Sequence, residues 1–492
     1  MTSCTDDAAN DGITPATSVR WALAGLCLSM LLSSLGTSIA NVALPTLAQV
    51  FAAPFQQVQW VILAYLLAIT ILIVGVGRLG DIAGRRRVLL AGLVVFTVAS
   101  VLCGLAPSLW WLIAARAAQG LGAAVLMALT MAFVGETVPK ERTGSAIGLL
   151  GAMSAIGTAL GPSLGGIAIA WLGWRAIFLV NIPLGLLAFF LAHRFLPVDR
   201  DTTKTDRPGF DALGTLLLAG ALAAYALAMT IGRGHFGTLN ATLLMAALTG
   251  IVLFVFTEAK VASPLIPLAA FRNSEFNASL AMNALVSTIM MATLVVSPFY
   301  LSRALGFNAA FVGIIMSIGP VVSALTGAPA GRLVDRLGAS FVVIVGLIEM
   351  AVGAVALSVL PAMFGLAGYI AAIALLTPGY QLFQAANNTA VMMDIPADRR
   401  GVVSGLLSLS RNLGLVTGAS LMGAVFAFAA MTADITTARP EAVATGMQVT
   451  FAVAAALTAV AIAIAVQGRA LAMRPSPRGD RPARRPEPAP SA

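Results

Sequence analysis

Charge is missing from long stretches of this chain, and the pattern of its absence constrains the fold more than any motif does. Runs of about twenty mostly apolar residues lie near 21–44, 58–78, 88–106, 109–133, 144–170 and 175–195, then 212–231 and 238–257, then 277–300, 308–329, 340–360, 363–386, 401–429 and 447–467. Each is long enough to cross a hydrocarbon layer of roughly 30 Å as a helix. Charged residues make up 10% of the 492 positions and hydrophobic ones 59%, whereas about 25% charge is usual for soluble domains. A soluble enzyme is excluded. The fold expected is an all-α membrane protein of 14 transmembrane helices in a 6 + 2 + 6 arrangement: a tail (1–20), a six-helix bundle (21–195), a linker (196–211), two extra spans (212–257), a second linker (258–276), a second six-helix bundle (277–467) and a Pro- and Arg-rich tail (468–492) expected to be disordered.

The basic residues set the orientation. With an even number of spans both termini share one side. Placing them in the cytoplasm puts Arg78, Arg85–Arg87, Lys140, Arg142, Arg332, Arg336, Arg399 and Arg400 in cytoplasmic loops, and leaves Arg175, Arg233, Arg303 and Arg439 for the opposite side. That is the positive-inside asymmetry. It accounts for the net charge of +9 without any nucleic-acid partner; membrane lipid is the expected neighbour. Asp6, Asp7 and Asp11 replace the basic start of a cleaved leader. Cys4, Cys27 and Cys103 form no ligand spacing, His193 and His235 lie at span ends, and no Walker loop is present. No cofactor or metal is expected.

An internal repeat organises the chain. Gly77-Arg78-Leu79-Gly80-Asp81-Ile82-Ala83-Gly84 matches Gly331-Arg332-Leu333-Val334-Asp335-Arg336-Leu337-Gly338 at five of eight positions, each after the second span of its bundle. Two parallel halves of six spans are the plan of one large class of secondary transporter, with substrate near the midplane between them. Three motifs then carry a resemblance. Gly77 to Arg87 resembles the loop signature of the major facilitator superfamily, Arg116-Ala117-Ala118-Gln119-Gly120-Leu121-Gly122 its fourth-span motif, and Gly157-Thr158-Ala159-Leu160-Gly161-Pro162-Ser163-Leu164-Gly165-Gly166 the fifth-span motif of its antiporters. In order on their spans, with Asn41-Val42-Ala43-Leu44-Pro45 closing span 1, they resemble the 14-span drug:proton antiporter family along nearly the whole chain.

The resemblance implies a conformational latch at Gly77, Asp81, Gly84, Arg85 and Asp335. It also implies a gating stripe of Gly157, Gly161, Pro162 and Gly165 at the interface between halves, and a part in proton coupling for Arg116. Physical reasoning supports several of these independently. Gly157, Gly161 and Gly165 recur every four residues and form a smooth helix face. Arg116 lies about eight residues inside its span, roughly 12 Å from the end, where a guanidinium must be hydrogen-bonded or face water. Relatives in that family usually carry an aspartate in span 1 where this chain has Gly36. The one acid well inside a span is Glu349, at a depth similar to Arg411; it is expected to carry the proton or to pair with Arg411. Two embedded arginines against one carboxylate predict a neutral to positive cavity. Polar groups costly to leave against lipid complete the candidate substrate contacts: Asn41, Tyr65, Gln119, Asn283, Tyr300, Gln381, Gln384 and Asn388. Of these, Gln381, Gln384 and Asn388 share one helix face at i, i+3 and i+7.

The sequence therefore predicts a monomeric transporter of the bacterial inner membrane, not an enzyme, exporting small amphiphilic compounds against protons by alternating access. Uptake or facilitated movement of an organic anion is the alternative reading, and a non-transporting sensor a more distant one. The topology is directly testable. In a chain cleared of its own cysteines, Pro107→Cys should react with a membrane-impermeant maleimide on intact cells and Arg86→Cys only after permeabilisation; reaction of both from one side would dismantle the two-lobed arrangement.

Overall fold

The computed structural model describes residues 15–138, 143–197, 211–231, 237–261, 271, 273–393, 400–431 and 438–472. The N-terminal residues 1–14, much of both linkers and the last twenty residues, to which the sequence assigned tails and connections, lie outside the described residues. The first bundle runs through α1 (Pro15–Ser38), short α2 (Leu44–Val50) and α3 (Phe55–Val58), α4 (Trp60–Ala83), α5 (Arg85–Gly104), α6 (Leu109–Thr137), α7 (Thr143–Leu172), short α8 (Ala176–Leu179) and α9 (Asn181–Phe195). Helices α10 (Ala212–Thr230) and α11 (Thr238–Glu258) follow. The second bundle comprises α12 (Ser274–Phe299), α13 (Ala309–Met316), α14 (Ile318–Leu337), α15 (Ala339–Met392), α16 (Arg400–Thr417), α17 (Gly423–Ala429) and α18 (Pro440–Ala472). π-helical turns at Tyr300–Ala304 and Gly418–Met422 extend α12 and join α16 to α17.

Thirteen helical segments among the described residues are long and apolar enough to span a membrane. One of them, the 54-residue α15, is broken at Gly365, whose φ of 55° and ψ of −128° no helix contains. Its two arms fold back on each other: Gly346 meets Gly379, Gly353 meets Leu376, and Gly368 meets the carbonyl of Leu360. Counted as a hairpin, α15 supplies two crossings and the total becomes fourteen, as the two apolar runs near 340–360 and 363–386 predict. Apolar side chains such as Leu216, Met245, Phe256, Leu325 and Val352 point outward, the arrangement expected where the surrounding solvent is lipid. Trp110, Trp111 and Trp171 are exposed near helix ends on the side away from the Arg85–Arg87 cluster, as in an interfacial aromatic belt.

The two halves repeat one pairing scheme. In the first, the first span packs on the fifth and sixth (α1 on α7 and α9), the second on the fourth (α4 on α6), and the third on the fourth and sixth (α5 on α6 and α9). In the second, α12 packs on α16 and α18, α14 on α15, and α15 on α18, the same pairs. Between halves the contacts are reciprocal: the fifth span of each meets the second of the other, α7 against α13 and α14, and α16 against α4. The repeated sequence motif ends in the same backbone conformation both times, Gly84 at φ 95° and Gly338 at φ 84°. This region is closed to most L-residues and open to glycine.

The third and fourth spans of each half also cross at glycines. A Cβ on Gly122 would lie 2.7 Å from the amide nitrogen of Phe96 and 2.8 Å from the carbonyl of Gly92. A Cβ on Gly346 would lie 2.7 Å from the amide nitrogen of Phe383. Without appreciable hydrophobic attraction between helices in lipid, such backbone-close packing is what holds them together. Gly122→Ala should therefore lower the thermal midpoint in detergent. The overpacking penalty of about 1–3 kcal/mol exceeds the roughly 0.5–1 kcal/mol that alanine gains over glycine in a helix. Gly77→Ala, where nothing lies within 4 Å of the added carbon, should leave it unchanged or slightly raised. Equal midpoints for the two variants would remove close packing as the cause.

Candidate functional site

Polar side chains inside the first bundle are drawn to backbone carbonyls. The last turn of α1 leaves carbonyls with no helical partner, and Asn41 donates from Nδ2 to the carbonyls of Thr37 (3.0 Å) and Ser38 (3.1 Å). Arg116 takes the next. Its Nη2 donates to Gly36 O at 3.0 Å, its Nε to Val61 O at 2.9 Å, and its Nη1 to Gln119 Oε1 at 2.6 Å. Gln119 passes the chain on through Nε2 to Ser100 Oγ at 2.7 Å. The guanidinium also lies over the Tyr65 ring, 4.0 Å from its centroid, an additional attraction for a desolvated cation. Tyr65 in turn donates its hydroxyl to Ser33 O at 2.7 Å. All of these side chains are fully buried. Arg116 thus ties together the first four spans, anchored chiefly on backbone carbonyls. Gly36 belongs to the same knot: a Cβ there would lie 2.7 Å from the Tyr65 hydroxyl, so tyrosine occupies the space into which a side chain at 36 would grow.

The central cavity, of about 400 Å³, lies between the halves. Its wall comes from the first, second, fourth and fifth spans of each: Ser34, Thr37 and Ser38 of α1, Leu66 and Ile69 of α4, Met127 of α6, and Ser154 and Thr158 of α7. These face Ser287, Met290 and Thr293 of α12, Ser323 of α14, Tyr369 to Asn388 of α15, and Arg411, Asn412 and Leu415 of α16. A second cavity of about 250 Å³, lined by Asn283, Met392, Leu407 and Ser408, shares Gln384, Asn388 and Arg411 with the first. It extends toward the end of the bundle where α12 and α16 begin and α15 finishes.

Several wall groups already pair across helices. Ser34 and Ser154 hydroxyls lie 2.7 Å apart and Gln381 donates to Ser323, while within α15 Gln384 donates to the Tyr380 hydroxyl at 3.1 Å. At the other end the halves meet. Gln59 Nε2 donates to the carbonyl of Ala419. Phe55 inserts between Phe299 and Phe426, its ring centroid 4.9 and 5.7 Å from theirs in edge-on contacts.

The structure brings some of the expected site residues together and separates others. Gln381, Gln384, Asn388 and Arg411 line the cavity, and Asn283 lines its extension, donating to Leu407 O at 2.9 Å. Asn41, Tyr65 and Gln119 do not line it; they belong to the packing around Arg116. Tyr300 is likewise internal, donating to the carbonyl of Pro361 at 3.3 Å. Glu349 and Arg411 do not meet. Glu349 sits half-buried on the third span of its half, its Cβ against Gly379, and third spans do not reach the cavity.

The glycine stripe also needs correcting. Gly157, Gly161 and Gly165 face α1 of their own bundle, against Leu31, Ser38 and Val42. The neighbouring Gly166 and the Pro162 carbonyl face Gly313 of the other half, because one helix turn places residues 162 and 166 on the adjoining face. Asp335 is exposed at the end of α14, Gly84 caps α5, and Arg85 packs beside Gly80. The Asp81 side chain lies outside the described residues. Serines and threonines give no sequence signal of a site, since a hydroxyl readily bonds its own helix, yet they supply much of the cavity's polar wall. Among the described residues no three His, Cys, Asp or Glu side chains converge as a metal site would.

Comparison with known proteins agrees with this architecture. The profile of the Major Facilitator Superfamily matches residues 26–419 and 280–491. Riboflavin transporter RibZ of Clostridioides difficile is 31% identical over 405 residues, covering 82% of this chain and 87% of its own. Multidrug resistance protein Stp of Mycobacterium tuberculosis (strain ATCC 25618 / H37Rv) is 32% identical over 403 residues, covering 81% and 74%. Among solved structures, a bacterial homologue of the human lysosomal transporter Spinster, in an inward-facing and unoccupied conformation, superposes with a TM-score of 0.66 at 18% identity, over 94% of this chain and 99% of that one. With its repeated six-span halves, its shared central cavity and these matches, the chain belongs to the Major Facilitator Superfamily and is a multi-pass membrane transporter.

Proposed function

We propose that the protein exports small amphiphilic organic compounds, a drug or metabolite efflux role, by proton antiport with alternating access in a bacterial inner membrane, both termini cytoplasmic. One observation carries this reading: a cavity walled by corresponding spans of both halves and closed at one end by contacts between the halves, namely Gln59 with Ala419 and Phe55 with Phe299 and Phe426. In the orientation favoured by the loop arginines, the closed end faces outward and the extension near Met392 and Leu407 faces the cytoplasm. A rocking motion that parts Phe55 from its two partners opens the opposite exit. The name of one relative, a multidrug resistance protein, and the serine-, threonine- and methionine-rich wall both suit adaptable recognition of amphiphiles.

Proton coupling is assigned to Glu349. It stands against Gly379, next to Tyr380 and Gln381 of the cavity wall, so a change of charge on it acts on the arm of α15 that holds them. Arg116 serves as a fixed positive anchor for the first four spans. Protein-containing vesicles with an acidic lumen should accumulate a transported fluorophore beyond protein-free vesicles, and a protonophore should abolish the difference. Equilibration independent of the gradient would replace antiport by facilitated movement. Glu349→Gln should reduce accumulation to the protein-free level while leaving exchange of substrate for substrate intact; unchanged gradient-driven accumulation would remove Glu349 from the mechanism.

The closed end makes a separate prediction. Edge-on aromatic pairs contribute about 0.5–1.5 kcal/mol each, so Phe55→Ala should shift the balance toward the outward-open state by roughly tenfold. The readout is maleimide labelling of Ser38→Cys from outside intact cells, which should rise; a labelling rate equal to that of the Phe55 parent would show that the aromatic contact does not close the exit.

A further inference from the structure

We propose that the cavity selects amphiphilic organic anions, with a carboxylate or comparable acid docked on Arg411 and the apolar body against Met290 and Leu415. This deepens the exporter reading and rests on it. Arg411 is the formally charged residue of the cavity wall, and no Asp or Glu among the described residues lines either cavity. Its guanidinium lies roughly 16 Å along α16 from the helix start and makes no hydrogen bond or ion pair with a described residue. Arg116, the other embedded arginine, has its Nε, Nη1 and Nη2 engaged by Val61, Gln119 and Gly36. The contrast separates a structural cation from one left facing the chamber.

The groups around Arg411 leave donors open as well as the unpaired acceptor Asn283 Oδ1. Asn412 Nδ2 is buried without an acceptor. The Tyr380 hydroxyl already accepts from Gln384, so its own proton is left to point elsewhere. A carboxylate has two acceptor oxygens in the geometry a guanidinium fork fits, and it supplies the counter-charge this part of the wall lacks. A cation would instead add like charge in a region of low dielectric. The unpaired Gln384 Oε1 offers an acceptor for a donor elsewhere on the same molecule. Because Gln384, Asn388 and Arg411 belong to both cavities, an anion entering through the extension meets Arg411 at the junction before it reaches the main chamber.

The test uses three fluorophores that share a body and differ in charge: dansylglycine, its methyl ester, and dansylcadaverine. Binding to the purified full chain in nanodiscs should be about tenfold tighter for the acid than for the ester, as a charge-assisted bidentate contact provides, and weakest for the amine. Arg411→Gln should erase the preference for the acid while holding ester affinity within about twofold, and Arg411→Lys should restore part of it. Retained ester binding certifies that both variants are folded. Equal binding of acid and ester by the wild-type chain, tightest binding of the amine, or an acid preference that survives Arg411→Gln overturns the proposal. Gradient-driven accumulation of the ester or amine without acid preference would do so while leaving the exporter reading in place. Tight, Arg411-dependent binding of the acid with no transport of any probe would support the anion site and overturn the exporter reading.

Discussion

Hydrocarbon offers no hydrogen bonds, so every polar group carried into it must find a partner within the protein or face a water-filled space. That single constraint sorts the interior of this molecule. Backbone carbonyls collect the donors carried inside: Asn41 at the end of α1, Arg116 at Gly36 and Val61, Tyr300 at Pro361. Polar groups that find no such partner face the cavity or remain as buried exceptions, among them Gln384 Oε1, Asn412 Nδ2 and Ser287 Oγ. The distinction between structure and function is thus one of hydrogen-bond satisfaction rather than of residue type.

The same constraint explains why the two halves stay alike. Helices in lipid cohere through close packing, so the glycines at the third-to-fourth span crossing recur in both halves, Gly92 with Gly122 and Gly346 with Gly379. The chain reverses after each second span through a positive-φ glycine, Gly84 or Gly338. Between the halves the requirement is different, because these surfaces must separate. Pro162 and Gly166 meet Gly313 there, a close contact between small groups. The aromatic contact of Phe55 and the hydrogen bond of Gln59 lie at one end, where they can break without disturbing the crossings inside either bundle.

The number of spans, their grouping and the repeat were legible because lipid solvation writes itself into runs of apolar residues and because Gly77–Gly84 and Gly331–Gly338 kept enough identity to be aligned. The disposition of individual side chains was much less legible. A soluble helix advertises its buried face by polarity, but a helix between lipid and protein is apolar all round. Tyr65, Gln119 and Tyr300 could therefore not be told from cavity residues by pattern, and the stripe Gly157–Gly161–Gly165 could not be told from its neighbours at 162 and 166. The partners of Arg116 were invisible for another reason: every residue has a carbonyl, and no residue type signals that its carbonyl is the one that accepts. Gln381, Gln384 and Asn388 were readable as one face because three amide side chains at helical spacing are too many to satisfy within a single helix.

Gly36 illustrates how a local absence is absorbed by the surrounding packing. An acidic side chain at this position would stand beside Arg116 as a counter-charge. Here the tyrosine hydroxyl fills the space, its ring covers the guanidinium face, and the Gly36 carbonyl accepts from Nη2. Ring and carbonyls stabilise the cation with partial charges in place of a carboxylate. With the cavity wall free of acids among the described residues, the charge changes available to the proposed antiport are those of a group outside the wall, as Glu349 is, or of the substrate itself. In the second case an acid bound at Arg411 neutralises the wall on arrival and restores its charge on departure, which ties the electrostatics of the chamber to its occupancy.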